Sequence, residues 1–309
     1  MEKHEKIMKD LNLIHIKEAT RDILDYIDKR RKGQIRSLKT RWTKFNKQYG
    51  GIEWNTFYTF AGVSGSGKSS IVNELETSLF DFNQGEDFVV LSLNYEMMSS
   101  RQVGRKLSSK VQKSVSELYS KVVNITDEEY SRIQQEAKAI ENYKIYYSEI
   151  PDTVNGIKTL IEKFCEYHAG KGVIVMLDHS RLVRSVVGKD ETQTLNDLAT
   201  MFMILKKQFK LSLFLISQLN RNIEQAERLQ NPVGHYPIRS DLFASDAIYQ
   251  CSDYVFVLHR PEILNIPVYG PHKLPTAGMA YLHCIKARDD EPIIISLKAN
   301  LKFNKLDEA

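Results

Sequence analysis

The segment FAGVSGSGKSS, residues 60–70, places three glycines within six positions and follows them at once with a lysine and a serine. It fits the pattern G-x-x-x-x-G-K-[ST], in which backbone N–H groups surround phosphate oxygens and the next helix directs its positive end at the same anion. In this motif the lysine, here Lys68, reaches the β- and γ-phosphates, and the hydroxyl of Ser69 ligates Mg²⁺. The alternative is a flexible glycine turn. The residues predicted to bind nucleotide are Gly62, Val63, Ser64, Gly65, Ser66, Gly67, Lys68, Ser69 and Ser70.

Three further polar residues stand where predicted strands end. Asp178 closes the apolar run VIVML at a strand tip, where ligands bind in such sheets, and is expected to hold Mg²⁺; the alternative is a helix cap. Glu96 follows the strand 88–93 and is a candidate for the carboxylate that orients and deprotonates an attacking water, although glutamate is common on surfaces. Gln218 ends the run LSLFLIS and is either a sensor of the γ-phosphate or an exposed loop amide.

Strands that alternate with helices must position these residues. The run GVIVMLD shows no alternation of polar and apolar residues, which is typical of a parallel strand covered on both faces. The alternation predicts an α/β fold with a mainly parallel central sheet flanked by helices. The predicted strands are 56–61, 88–93, 144–148, 172–178, 211–217, 253–259, 279–285 and 292–297. The predicted helices are 68–80, 97–120, 127–142, 153–168 and 192–209.

The N-terminal region has a different pattern. Residues 11–30 carry apolar side chains at helical spacing, which predicts an amphipathic helix whose stripe packs on the core or on a neighbouring subunit. From Lys29 to Lys47 there are nine basic residues and no acidic one, which indicates either a solvated linker or a surface for a polyanion or an acidic partner subunit. We therefore divide the chain into a helix and basic linker, 1–48, and a nucleotide-binding domain, 49–309.

Composition indicates an ordinary soluble protein, expected in the cytoplasm. Of its 309 residues, 42% are hydrophobic and 27% charged, and the net charge is only +4. The apolar runs are too short to cross a bilayer, and the charged N-terminus MEKHEKIMKD has no apolar core of a secretory signal. The three cysteines are far apart in the sequence and are expected to be reduced and buried.

The P-loop, the glutamate, the aspartate and the glutamine occur in this order, each at a strand end, and the chain resembles the DnaB-type replicative helicases, a family of RecA-like ATPases. The resemblance extends from about residue 20 to about residue 300. The segments that carry it are NYEM (similar to the family's SLEM), VIVMLDHSRL, SQLNR (similar to SQLSR), SDLFASDAIYQCSD from Ser240 to Asp253, and KAR (similar to KQR).

The resemblance implies an ATP- and Mg²⁺-dependent helicase that forms a ring, usually a hexamer, with nucleotide at each subunit interface. It implies that Glu96 is the catalytic base and Gln218 the γ-phosphate sensor. Arg288 would act on the neighbouring subunit's γ-phosphate, with Lys286 beside it; the alternative for Arg288 is a surface arginine. The helix 11–30 would dock on the adjacent subunit. A primase or a loader is a further expected partner, and no membrane is expected.

In such rings, loops that face the central channel bind single-stranded DNA by its phosphates, with little sequence preference and strong salt dependence. The polar stretch 221–240 is long for a loop in a compact domain, which usually indicates a functional loop. The candidates for DNA contacts are Arg181, Arg184 and Lys189 after the Asp178 strand, and Arg221, Arg228 and Arg239 in that stretch.

The sequence departs from the family pattern at several places. Phe243 stands where the family usually has arginine, Asp289-Asp290 replace a common Asn-Gly, and His179 begins an unusual segment after Asp178. There is no room before residue 20 for the family's helical N-terminal domain, so we expect a short form, of phage or mobile-element origin, or a core domain. The second hypothesis is a RecA-like regulatory or strand-binding ATPase that assembles on DNA or a partner without unwinding. A catalytically dead assembly module is disfavoured because no ATPase position is lost.

Overall fold

The computed structural model describes residues 11, 13–231, 234–243 and 246–309. The chain divides into two compact units, residues 1–37 and residues 38–309. The charged N-terminal segment 1–10, residue 12 of the predicted helix and two residues of the family-like segment Ser240–Asp253, namely Ala244 and Ser245, lie outside the described residues.

The first unit contains one described helix, α1, Ile16–Arg31. It begins later than the predicted residue 11, because His15 caps it: the His15 ring accepts a hydrogen bond from the Lys17 N–H at 3.1 Å. Basic side chains occupy its last turn, where they complement the negative end of the helix dipole. No residue of α1 is buried, so its apolar side chains are exposed.

The second unit is built on a nine-stranded sheet in the order β3-β2-β4-β5-β1-β6-β7-β8-β9. The first six strands in this order are parallel and the last three are antiparallel. The predicted mainly parallel α/β sheet is thus confirmed. The strands are β1 Phe57–Gly62, β2 Phe88–Asn94, β3 Ile145–Ser148, β4 Gly172–Asp178, β5 Leu211–Gln218, β6 Tyr254–His259, β7 Met279–Ala287, β8 Ile294–Asn300 and β9 Lys305–Glu308.

Helices cover both faces of this sheet. The described helices of the second unit are α2 Thr43–Tyr49, α3 Lys68–Phe82, α4 Ser99–Val111, α5 Val115–Leu118, α6 Asp127–Ile140, α7 Val154–Tyr167, α8 Glu191–Gln208, α9 Ala226–Leu229 and α10 Asp246–Cys251. Successive residues of a buried strand supply two different cores: in β4, Ile174 joins the core formed with α3, and Val173 joins the core formed with α7 and α8.

The second half of the basic stretch 29–47 belongs to the core of the domain. Leu38, Trp42 and Phe45 are essentially inaccessible, and the Trp42 indole N–H donates to the Leu306 carbonyl at 2.9 Å. Leu306 lies in β9, a short polar strand that was not predicted from the sequence. Leu306 is the only buried residue of this strand. The basic side chains of residues 38–47 are therefore carried on a packed segment.

A cluster of buried histidines and tyrosines lies under the antiparallel part of the sheet. The His259 ring stacks on Tyr269, with ring centroids 5.0 Å apart, and neither His259 nitrogen has a hydrogen-bond partner among the described residues. His283 shares a hydrogen bond with the Tyr269 hydroxyl at 2.6 Å. Burial lowers the pKa of His259 and of His283 to about 3, so both rings are neutral in the folded protein.

This burial predicts acid sensitivity. An unfolded histidine has a pKa of about 6.5, so below that pH the unfolded chain binds protons that the folded chain does not. Each ring should lower the free energy of unfolding by about 2 kcal/mol at pH 5 relative to neutral pH, because the loss is about 1.4 kcal/mol for each pH unit below about 6.5. We expect His259→Phe, which keeps the stacked ring, to flatten the pH dependence of denaturant unfolding between pH 7 and pH 5. His272→Asn is the control, since His272 is exposed; an equal flattening in both variants would contradict the assignment.

Candidate functional site

The glycine loop connects β1 to α3 and is shaped by close backbone approaches. A Cβ on Gly62 would lie 2.4 Å from the Ser66 hydroxyl oxygen and 2.8 Å from the Leu258 carbonyl oxygen, so no larger residue fits there. Gly65 and Gly67 have φ values of 77° and 104°, in the left-handed region that favours glycine. The loop therefore turns sharply and places the amino end of α3 at the edge of the sheet where the parallel strands end.

A polar cavity of about 390 Å³ opens at this loop. Parallel strands bring their carboxyl ends to one edge: Gly62 pairs with Gln218, and Asn94 pairs with Asp178. Although β4 and β5 separate β2 from β1 in the sheet, Glu96 still reaches the cavity. The lining residues are Ser64, Gly65, Gly67, Lys68, Ser69, Ser70, Glu96, Arg105, Asp178, His179, Gln218, Leu301 and Asn304.

Opposite charges face each other in this cavity. The Lys68 ammonium donates to the carbonyls of Gly62 and Val63, each at 2.9 Å. Burial lowers the Lys68 pKa, while the nearby carboxylates of Asp178 and Glu96 act in the opposite direction. Burial, together with the negative charge of Glu96, raises the pKa of Asp178 to about 6. A bound cation would relieve this repulsion between the two carboxylates.

The donor set fits Mg²⁺ and a phosphate chain. Mg²⁺ is usually held by one or two protein oxygens, with waters and substrate phosphates completing its shell. The Ser69 hydroxyl and the Asp178 carboxylate line the same cavity. The Ser66 hydroxyl is fully buried in the loop without a hydrogen-bond partner in the described chain, and Ser66 is not among the residues that line the cavity.

A second cavity, of about 520 Å³, shares Glu96, His179 and Gln218 with the first and extends to Arg181. The His179 ring accepts a hydrogen bond from the Arg181 backbone N–H at 3.2 Å. Burial lowers the His179 pKa, and a hydrogen bond with the Gln218 side chain acts in the opposite direction. The first cavity, called the nucleotide cavity below after its predicted occupant, thus adjoins the segment that follows β4.

Lys286 and Arg288 lie away from this cavity, at the opposite end of the sheet. They stand at the end of β7, which is antiparallel to β6 and pairs Ala287 with Tyr254 at the start of β6. Arg288 forms an ion pair with Asp253 at 3.2 Å, and its side chain is 53% exposed. The Lys286 ammonium donates to two carbonyls of α10, those of Tyr249 and Gln250. Neither cation reaches the nucleotide cavity of its own chain.

Three of the arginine and lysine candidates for DNA contacts form surface ion pairs. Arg181 pairs with Glu191 and lies over the Phe243 ring, Lys189 pairs with Asp197, and Arg239 pairs with Asp246. Arg184 and Arg221 are exposed, and their side chains make no hydrogen bond or ion pair within the described ranges. These two arginines follow β4 and β5, which are neighbours in the sheet.

Arg228 differs from the other candidates. Its guanidinium pairs with the fully buried Asp241 and donates to the carbonyls of Gly234 and Tyr236, each at 2.9 Å. The described residues of this stretch, 221–231 and 234–240, are therefore linked through this arginine, which lies in α9. Because its donors are occupied inside the loop, we leave Arg228 out of the DNA surface.

Two arginines near the nucleotide cavity, Arg105 and Arg260, were not among the residues predicted from the sequence. Arg105, on α4, lines the cavity, and nothing in the helical pattern of that segment distinguished it from a surface arginine. Arg260 follows β6 and donates to the Gly65 carbonyl at 3.0 Å, which braces the glycine loop. Arg260 could have been predicted from its position directly after a parallel strand, because Asp178 and Gln218 also lie where parallel strands end.

The parallel sheet and the glycine loop define a P-loop nucleotide-binding domain of RecA-like α/β architecture. Among the described helices, none has the length and apolar composition needed to cross a membrane. The sequence profile of the DnaB-like helicase C-terminal domain matches residues 25–308. The chain belongs to this family.

Curated relatives and solved structures agree with this assignment. Replicative DNA helicase DnaB of Buchnera aphidicola subsp. Baizongia pistaciae is 24% identical over 277 residues, which are 88% of this chain and 56% of the relative. The Haemophilus influenzae protein of the same name is 21% identical over 304 residues, 96% of this chain and 60% of the relative. The chain thus spans little more than half the length of these relatives.

Two solved structures share the fold. One, an ATPase domain, superposes with a TM-score of 0.81 at 18% identity, over 96% of this chain and 99% of that one. The other, a DnaB-like replicative helicase described with its interactions with primase, gives a TM-score of 0.78 at 17% identity, over 99% of this chain and 74% of that one.

The packing around Gly62 gives a test of the nucleotide site. Gly62→Ala forces the loop away from the Leu258 carbonyl, which cannot move without disturbing β6. We expect ATP binding, measured by titration calorimetry, to weaken by roughly tenfold or more, which corresponds to about 1.4 kcal/mol. Gly85→Ala is the matched control, since nothing lies within 4 Å of a Cβ at that position. Equal affinities in the two variants would show that the loop does not bind the nucleotide.

Proposed function

We propose that this chain is an ATP-dependent ring helicase that moves along single-stranded DNA and unwinds duplex. The observation that carries the proposal is the meeting of the glycine loop, Glu96, Asp178 and Gln218 in one cavity, with Arg288 at the far end of the same sheet. This arrangement suits a site completed by the next subunit. Family membership supports the helicase class.

Five residues of the cavity have proposed roles in hydrolysis. Lys68 and the loop N–H groups hold the phosphate chain, and Ser69 and Asp178 provide oxygen ligands for Mg²⁺. Mg²⁺, when bound by these residues, would neutralise negative charge on the phosphates. Glu96 is exposed at the cavity rim and orients and deprotonates the attacking water. Gln218, at the tip of β5, contacts the γ-phosphate and responds to its loss.

The position of Arg288 supports action in trans. Arg288 is next to Asp253, whose carboxylate also accepts from the Phe57 N–H at 2.8 Å, so the arginine lies at the amino end of β1. The P-loop follows the carboxyl end of β1, about 17 Å further along at about 3.3 Å per residue. A neighbouring subunit in a hexameric ring can place its own Arg288 at that cavity. The exposed apolar stripe of α1 provides a second contact with a neighbour.

DNA contacts are placed in the loops after β4 and β5. Arg184 and Arg221 are exposed and have guanidinium groups available for phosphates. Arg181, Lys189 and Arg239 can exchange their surface carboxylate partners for phosphates, because such exposed pairs are weak. Because both loops leave the same sheet edge as Asp178 and Gln218, a change at the nucleotide shifts them directly. A primase or a loader is a further proposed partner.

An alternative is a RecA-like ATPase that assembles on DNA or a partner without unwinding it. The observation in its favour is Phe243, which occupies a position where the family usually has arginine and lies 4.5 Å from the Arg181 guanidinium. The ring of Phe243 holds one of the candidate DNA contacts against the domain. Unwinding assays separate the two functions.

Mixed subunits test the shared site. We expect Arg288→Ala and Lys68→Ala proteins each to lose roughly 10³-fold or more of the DNA-stimulated ATPase rate. When the two are mixed and reassembled, interfaces form that combine an intact Lys68 with an intact Arg288, so activity should recover above that of either protein. Lys68→Ala mixed with itself is the control.

Two readouts divide the outcomes of the mixing experiment. Absence of recovery in mixtures of confirmed oligomers places Arg288 in cis or outside the site. Recovery of both ATP hydrolysis and strand separation of a forked duplex supports the helicase. Recovery of hydrolysis without strand separation supports the alternative ATPase.

The DNA surface is tested by salt dependence. Each lost phosphate contact should lower the slope of log K against log salt by about 0.7 for single-stranded DNA. We expect this for Arg184→Ala and Arg221→Ala, measured by fluorescence anisotropy with an oligothymidylate. Arg132→Ala, an exposed arginine on α6, should leave the slope unchanged. If all three variants bind like the parent chain, the DNA surface lies elsewhere.

A further inference from the structure

A network of buried polar side chains lies behind the nucleotide cavity. It centres on Glu76, on the P-loop helix α3, which accepts hydrogen bonds from the Ser92 hydroxyl on β2 and from the Lys106 ammonium on α4. The side chains of Glu76 and Lys106 are both 0% exposed. The Tyr147 ring, with its centroid 5.9 Å from the Lys106 nitrogen, covers the ammonium from β3. The pair thus ties α3 to α4 and β2.

The network continues to the strand ends that form the cavity. The Asn94 amide donates to the Ser92 hydroxyl at 3.0 Å, and the Gln102 amide donates to the Asn94 oxygen at 3.1 Å. Each of these three side chains is only 1% exposed. Asn94 pairs with Asp178 across the sheet, and the Tyr95 N–H donates to the Asp178 carbonyl at 3.0 Å.

The immediate neighbours of the network face the nucleotide. Glu96 is the second residue after Asn94, and Arg105 directly precedes Lys106; both line the cavity with Lys68. Helix α3 begins at Lys68 and carries Glu76 about two turns later. The Glu76–Lys106 ion pair therefore links this helix to α4, which carries Arg105, and the Ser92 hydrogen bond links it to β2, which leads to Glu96. A shift of α4 or of the end of β2 would move both residues relative to the phosphates.

Stability alone does not account for this pair. Desolvation of two charges offsets much of their attraction, and apolar residues of similar volume often stabilise a core equally well or better. Ile71, Leu75 and Leu79 of α3 pack in the apolar core, although Asn73 and Glu74 of the same helix are also buried and polar. An ion pair adds a fixed geometry, because only one arrangement satisfies both charges and their hydrogen bonds.

We propose that the Glu76–Lys106 ion pair positions Glu96 and Arg105 against the P-loop for the hydrolysis step. The two residues contact no nucleotide and act through β2 and α4. This inference rests on the proposed ATPase function.

The test uses a double variant that removes both charges and keeps the shape, Glu76→Gln with Lys106→Met, in the full chain. We expect kcat for ATP hydrolysis to fall by about tenfold to a hundredfold, because displacements of about 1 Å have effects of this size, while KM changes less than about threefold. The matched control is Glu74→Gln with Arg41→Met. Glu74 lies on the same helix and pairs with Arg41 at 2.6 Å, but its other contact is the Leu306 N–H of β9 and not β2 or α4.

A second readout is independent of turnover. Hydrogen exchange of the nucleotide-free protein should show faster exchange in residues 94–98 and 99–106 for the double variant, and parent-like exchange there for the control. Ser92→Ala, which removes one hydroxyl, is a milder variant and should show a smaller effect in the same segments.

The outcomes decide the inference. Parent-like kcat in the folded double variant, or an equal loss of kcat in the control, overturns the positioning role. If the double variant does not fold, parent-like kcat and exchange in Ser92→Ala overturn it in the same way. A parent chain that hydrolyses no ATP under assembling conditions contradicts the proposed function, and faster exchange confined to these segments then shows mechanical coupling without catalysis.

Discussion

The common direction of six strands is the constraint on which the site depends. Because β1, β2, β4 and β5 are parallel, their carboxyl ends meet at one edge, and residues far apart in sequence line one cavity there. The antiparallel strand β7 has the opposite consequence, since its end lies at the amino end of β1. A single sheet thus separates the residues proposed to hold the nucleotide from the arginine proposed to act on a neighbour, and a subunit interface could bring them together.

The sequence predicts those features of the site that are determined by residues close together in the chain. The glycine loop needs particular residue types at fixed spacing, and strands buried on both faces appear as unbroken apolar runs, so the core strands and Asp178 and Gln218 at their tips could be located. Strand β9 lacks such a run, because Leu306 is its one apolar residue; hydrogen bonds of the Leu306 backbone with Trp42 and Glu74 attach it to the core. Arg105 was also missed, because its place in the cavity follows from the packing of α4 and not from its own neighbours in sequence.

The roles of individual basic residues are the feature that the sequence predicts least well. Six cations in two loops were equivalent candidates for DNA, yet Arg228 is committed to the buried Asp241 and to two carbonyls of its own loop. Lys286 likewise donates to carbonyls of α10, although the family pattern places it near a nucleotide. Such long-range partners depend on the tertiary fold. A basic residue in a loop therefore indicates a DNA contact only after its internal partners are known, and by that criterion Arg184 and Arg221 are the strongest candidates.

Coupling between the nucleotide and the loops requires that some contacts stay fixed while others move. On the loop side, His179 joins Asp178 to the Arg181 backbone, and β5 runs from Gln218 straight into the segment that begins at Arg221, so no additional element intervenes. On the other side, the buried hydrogen bonds of Glu76 with Ser92 and Lys106 join β2 and α4 to the P-loop helix. In the proposed mechanism, a rigid support behind Glu96 would direct the response to loss of the γ-phosphate toward Gln218 and His179, on the less constrained side of the cavity. The proposed translocation on DNA requires this combination of one fixed side and one movable side of the cavity, because hydrolysis must be converted into directed loop motion.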